Sequence, residues 1–146
     1  MLLLRDNSYL TELRTGGAGA LATRLLTPDR PLKAAVLGAG SQARYQLRAI
    51  SRVRQIEDLR VWSPVPSEVT AYEEEMQPVL GFPVSGAASA KEAVERADLV
   101  VTVTPAREPI LEWPWLSESA TVVAVGSDGP EKQELDTEIL GKAGKV

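Results

Sequence analysis

Apolar residues fall into short unbroken runs separated by stretches where they recur every three or four positions, an alternation of strand and helix signals along the whole chain. Met1 to Arg5 predicts a short strand. Asn7 or Ser8 would then cap a helix whose apolar residues are Leu10, Leu13, Leu21, Leu25 and Leu26. Gly16, Gly17 and Gly19 lie inside that helix, at a cost of roughly several tenths to 1 kcal/mol each relative to alanine. The helix must therefore bend there or be closely approached, either by packing against a sheet or as a small-residue floor under a ligand with Arg14 and Thr15 at its edge. Thr27 to Pro31 reads as a turn, and Leu32 to Leu37 as the first strand of a parallel sheet. A helix is predicted from Ser41 to about Arg54, a strand over Leu59 to Ser63, and a charged, solvated helix over Glu68 to Met76. An edge strand over Val84 to Ala88 precedes a helix over Ser89 to Ala97, with Ser89 as N-cap and Glu92 completing a capping box. Two β-branched runs, Asp98 to Pro105 and Ala120 to Asp128, have the continuity of strands buried on both faces. The pattern predicts an α/β domain, doubly wound, with a mostly parallel sheet and helices on both faces.

Length and composition narrow the chemistry. At 146 residues the chain is one domain's worth. No apolar run approaches the roughly 20 residues of a membrane span. Met1-Leu-Leu-Leu4 is too short for a signal-peptide core and is followed at once by Arg5 and Asp6, so the expected location is cytoplasmic. With no cysteine and no histidine, a thiol nucleophile, a disulfide framework, a Ser-His pair and most zinc or iron sites are excluded. Proton chemistry falls to Asp, Glu, Lys or Tyr. A net charge of -4 with scattered arginines gives no footprint for nucleic acid.

The most informative stretch is Lys33 to Leu47, an apolar run that breaks into Gly38-x-Gly40-x-x-Ala43 and resumes at helical spacing. Gly38 permits a tight turn, Gly40 removes a side chain where a pyrophosphate would approach, and Ala43 lets the helix sit close on the sheet. The helix start offers unpaired N–H groups to phosphate. In a parallel sheet all carboxyl ends share one edge, so Thr104-Pro105 and Gly126-Ser127-Asp128 would join this loop around one crevice. Dinucleotide folds selective for NAD carry an acid about 20 residues past the glycines, where this chain has Ser63-Pro64-Val65. NADP is thus permitted but not demanded. Asp128 is the candidate acid–base group; the alternative role for Asp128-Gly-Pro130 is a helix cap. Glu134 reads as half of a surface pair, Lys132 is left open, and Trp113 and Trp115 read as packing residues. No tyrosine has a lysine four positions on, so a Tyr-x-x-x-Lys relay is absent. A weaker reading is a cofactor-free domain whose glycines serve only packing.

Four motifs, Leu10 to Ala22, Gly38 to Arg44, Val101 to Leu111 and Ala124 to Asp136, together resemble the ornithine cyclodeaminase and mu-crystallin family in order and spacing. They are most similar to bacterial ornithine cyclodeaminase-like and ectoine-utilisation members. The resemblance implies a Rossmann-type domain binding NAD or NADP. It further implies a cytoplasmic homodimer acting on small amino or imino acids by cyclodeamination, ketimine reduction or alanine oxidation. A non-catalytic carrier of NADPH and a small ligand, like mu-crystallin, is the alternative. By the same resemblance Asp128 is the catalytic aspartate and Arg14 binds the substrate carboxylate. Thr15, Gly38, Gly40, Ser41, Gln42, Ala43, Ser63 and Thr104 fall at cofactor-contacting positions, with Val125 near the nicotinamide. The chain has Pro130-Glu131-Lys132 where the family has Pro-Gly-Lys. Family members also carry a substrate and dimerisation domain, so residues 1–146 are expected to be the dinucleotide domain of a larger two-domain protein.

Overall fold

A computed structural model describes residues 8–146. The strand expected over Met1 to Arg5 and the Asn7 cap lie outside these residues. Five parallel strands form one sheet: β1 (Leu32–Leu37), β2 (Ile56–Trp62), β3 (Val84–Gly86), β4 (Leu99–Thr102) and β5 (Thr121–Ala124), in the order β3-β2-β1-β4-β5. The helices are α1 (Tyr9–Leu26), α2 (Ser41–Ile50), α3 (Pro66–Leu80), α4 (Ala90–Val94) and α5 (Thr137–Lys142). This is the doubly wound, Rossmann-type arrangement that the alternation of periods predicts.

Strand alternation divides the core between the two faces. Leu32, Ala34 and Val36 of β1 pack with Leu59, Val61, Leu99 and Val101 beneath Ala20 of α1, Leu47 of α2, and Val69, Tyr72 and Met76 of α3. Ala35 and Leu37 point the other way and pack with Val100 against Ala93 and Val94 of α4, Leu111 and Ile139. Trp113 and Trp115, in a 3-10 turn, are half-buried against this second cluster, so they pack as the sequence suggests. Three buried positions on α3 make it more than the solvated face expected of it.

Two expectations fail at the sheet's outer side. β5 is an edge strand with only Val123 buried, because nothing among the described residues pairs beyond it. On α1 the leucines are outside: Leu10, Leu13, Leu21, Leu25 and Leu26 are between 45% and 71% exposed, and the buried stripe is Gly16, Gly19, Ala20 and Thr23. Gly16 and Gly19 pack against α2 rather than the sheet, while a Cβ on Gly17 would meet nothing within 4 Å. A Cβ on Gly16 would stand 2.9 Å from the Tyr45 carbonyl oxygen, and one on Gly19 would collide with the Gln46 side chain. Ser8, at the start of α1, is left-handed and its side chain makes no capping bond.

Candidate functional site

The carboxyl ends of β2, β1, β4 and β5 lie side by side, stitched by bonds that continue each ladder beyond the strands. Gly38 N–H donates to the Trp62 carbonyl at 2.8 Å, Val103 N–H to Leu37 at 2.9 Å, and Val125 N–H to Thr102 at 2.9 Å. The sheet order reverses direction between β1 and β4, the place where open α/β sheets leave a crevice. Gly38-Ala39-Gly40 leads into α2 at that point.

The two glycines of this loop do different work. Gly38 has φ +109°, and a Cβ there would come within 2.8 Å of the Val103 carbonyl oxygen and 3.0 Å of Thr104 Cγ2. Sterics and backbone conformation both demand it. Gly40 has ordinary extended angles, and a Cβ on it would meet nothing within 4 Å. Packing therefore explains Gly38 and leaves Gly40 unexplained. Gly40 is the N-cap of α2 and supplies no side-chain cap, so the first N–H groups of the helix open toward the space above it. Ser41 is exposed at this end, and the Gln42 Oε1 atom is buried with no partner. Open space above a glycine and a bare helix start together fit the phosphates of a dinucleotide. Ala43 is fully buried in the core, and its carbonyl accepts the Tyr72 hydroxyl at 3.3 Å. Burial pushes that phenol's pKa well up, which removes Tyr72 as a proton donor.

At the end of β2, Ser63 is buried and its hydroxyl donates to Glu68 Oε2 at 2.7 Å. A carboxylate from the first turn of α3 thus reaches the end of β2. Thr15, half-buried on α1, is tied to α2 by the Gln46 amide, which donates to its carbonyl at 2.9 Å; Arg14 beside it is exposed.

The β4 and β5 exits are organised by Glu134, which is 1% exposed and no surface residue. Its carboxylate accepts four hydrogen bonds: the Thr104 N–H at 2.6 Å, the Thr104 hydroxyl at 2.8 Å, the Thr102 hydroxyl at 2.8 Å and the Gly126 N–H at 2.8 Å. Thr104 is therefore turned inward by this acid. Gly126 fits only as glycine, since a Cβ there would overlap the Thr104 backbone and Glu134 Oε1. Nothing local marks Glu134 as buried; its partners lie 8 to 32 residues away in sequence, so only the tertiary fold reveals it.

Beyond Gly126 the chain turns out of the core, leaving Val125 half-buried and Asp128 exposed. Asp128 Oδ1 accepts from Lys132 Nζ at 2.5 Å. That hydrogen bond, with the lysine's charge, holds the carboxyl below the usual range and raises the lysine. Asp128 caps no helix: the nearby cap is Asp136, whose Oδ1 accepts the Ile139 N–H at 2.9 Å at the start of α5. The structure thus brings the glycine loop, Ser63, Thr104, Val125 and Asp128 to one sheet edge.

Comparison with known proteins agrees with this geometry. The family model described as "Ornithine cyclodeaminase/mu-crystallin family" matches residues 1–146. An uncharacterized cyclodeaminase of Sinorhizobium fredii is 41% identical over 141 residues, covering 97% of this chain and 43% of that protein. An alanine dehydrogenase of Archaeoglobus fulgidus is 35% identical over 145 residues, again covering 97% and 43%. Among solved structures, Thermococcus litoralis Δ1-pyrroline-2-carboxylate reductase in complex with NADH and L-proline superposes with TM-score 0.93 at 37% identity, over 97% of this chain and 44% of that one. The chain spans less than half the length of these relatives. No helix among the described residues is long and apolar enough to cross a membrane.

Proposed function

We propose that this chain, which belongs to the ornithine cyclodeaminase/mu-crystallin family, is the dinucleotide-binding part of a longer, two-domain cytoplasmic protein that interconverts small amino and imino acids. The observation that carries the reading is the open, side-chain-free start of α2 at Gly40 on the same sheet edge as the exposed carboxylate of Asp128. The exposed leucines of α1 fit a helix that the rest of a longer protein, or its homodimer partner, covers. Membership in a family whose relatives include a cyclodeaminase and an imine reductase supports the substrate class.

In this reading the N–H groups of α2 hold the pyrophosphate, with Gly40 giving it access and Ser41 and Gln42 supplying polar contacts. Ala43 seats the helix on the sheet, Ser63 lies at the ribose end, and Thr104 and Val125 line the crevice toward Asp128. A bound nicotinamide dinucleotide supplies the hydride acceptor or donor. Asp128 manages the proton: in amine oxidation its carboxylate takes one from the substrate ammonium, and in imine reduction the same oxygen returns it. The Lys132 hydrogen bond and charge hold this carboxyl below the usual range, so it takes a proton less readily than a free aspartate until substrate draws the lysine away. Arg14 and Thr15 come from α1 to meet the substrate carboxylate and the cofactor.

Calorimetry on the 146-residue chain tests the first half: NADH or NADPH is expected to bind, and absence of affinity for both at millimolar concentration would overturn the reading. In the complete protein, Asp128→Asn is expected to abolish turnover of small amino acids or cyclic imines while leaving dinucleotide affinity within about threefold. Full turnover by that variant would remove Asp128 from the chemistry.

A further inference from the structure

We infer that Glu68 makes the site selective for NAD(H) over NADP(H), an inference that rests on the dinucleotide reading above. The position is fixed by the fold. Trp62, the last residue of β2, bonds Gly38 of the phosphate loop, so Ser63 follows directly at the corner where a dinucleotide's adenine ribose sits. That corner has no acid of its own. Glu68 reaches it from α3: its Oε2 accepts the buried Ser63 hydroxyl at 2.7 Å, while Ser63 Oγ also accepts the Val65 N–H at 3.3 Å. The Ser63 side chain thereby anchors the carboxylate beside the strand end. The second oxygen, Oε1, has no hydrogen bond among the described residues and is available to ribose hydroxyls.

A 2′-phosphate would find this corner hostile. Glu68 stands in the first turn of α3, where the helix dipole would otherwise favour an anion. The same helix carries Glu73, Glu74 and Glu75 and no lysine or arginine. Arg44, on α2, turns its guanidinium toward other partners: Nε donates to Glu75 at 2.7 Å, Nη1 to the Ala39 and Gly40 carbonyls at 2.6 and 3.1 Å, and the guanidinium rests 5.1 Å from the Tyr72 ring. Carboxylate and phosphate would repel each other at this corner, with Arg44 drawn toward Glu75 and the loop carbonyls, whereas the two hydroxyls of an unphosphorylated ribose are good donors to a carboxylate.

The test is calorimetric titration of the 146-residue chain with NADH and with NADPH. The wild-type chain is expected to bind NADH about tenfold more tightly or better. Glu68→Gln keeps an acceptor for Ser63 and removes the charge; it is expected to narrow that ratio about fivefold or more, chiefly by gaining NADPH affinity. The residue is exposed, so its thermal unfolding midpoint should match wild type. Equal affinities in the wild type, or an unchanged ratio in Glu68→Gln while NADH still binds, would overturn the assignment of Glu68 and leave the dinucleotide reading intact. Failure of both chains to bind either dinucleotide would instead defeat that reading, and this inference with it.

Discussion

The phosphate loop after β1 and the paired exits of β4 and β5 line the same sheet edge, but they are built in opposite ways. The loop is made of backbone: Gly38 supplies a left-handed turn, Gly40 an open approach and α2 its bare N–H groups. The exits are made by one side chain, since Glu134 collects two hydroxyls and two backbone N–H groups and so fixes where Gly126 and the following residues leave the sheet. A backbone site is short-range and tolerates change outside its glycines. A carboxylate hub concentrates the cost in one residue, because every donor it serves is orphaned when it goes.

That contrast ranks the expected effects of substitution. The largest belongs to Glu134→Gln. Whichever way the amide is turned, its NH2 faces a backbone N–H, that of Thr104 on one side or of Gly126 on the other. One buried donor must lose its partner, and the expected loss in unfolding free energy is about 2–4 kcal/mol, read from urea denaturation. A loss under about 0.5 kcal/mol would mean that the hub is not the anchor of the exits. Gly126→Ala follows, because its methyl would press on the Thr104 backbone, which cannot swing aside as a side chain would. The same measurement should show about 2–3 kcal/mol, the scale of overpacking.

At the loop the expected pattern inverts. Gly40→Ala adds a methyl to open space at ordinary backbone angles, so unfolding free energy should move by no more than about 1 kcal/mol in either direction. Dinucleotide affinity should fall about tenfold or more, because that methyl occupies the approach to the helix start. A variant that binds as well as wild type would return Gly40 to a role without a ligand. Comparing Gly40→Ala with Gly126→Ala thus separates binding from folding at two glycines of one crevice.

The same contrast explains what the sequence could tell. The alternation of strands and helices, the mostly parallel sheet and the glycine turn after β1 follow from local periodicity and turn chemistry, and the structure bears them out. Glu134 reads as a surface residue in sequence, since a charged side chain among Lys132, Gln133 and Asp136 has no local mark of burial, yet it is buried. Glu68 has no local mark either: it lies on the next helix, and only its hydrogen bond with Ser63 brings it to the end of β2. On α1 the leucine pattern pointed to the wrong face, since the contact with α2 is decided by how closely two backbones approach, and only glycine and alanine permit that. Periodicity reports apolar surface, whether this chain or another partner covers it.

Two carboxylates six positions apart complete the comparison, and the smallest expected effect lies with the outer one. Asp128 is exposed and paired with Lys132, whose hydrogen bond and charge hold its carboxyl below the usual range. A depressed acid stabilises the fold above the ordinary carboxylate pKa and loses that contribution as pH falls through the lowered value. Because Asp128 is exposed and Lys132 only partly buried, this contribution to stability should be too small to read from unfolding curves. The measurement is instead an NMR titration of the Asp128 side-chain carboxyl. Lys132→Met is expected to move its midpoint upward toward the ordinary range with the fold unchanged. An unmoved midpoint would show that the pair does not persist in solution. An upward shift would mark the contrast at this edge: Glu134 is buried to hold the exits in place, and Asp128, on the same loop, is paired with Lys132 and open to solvent.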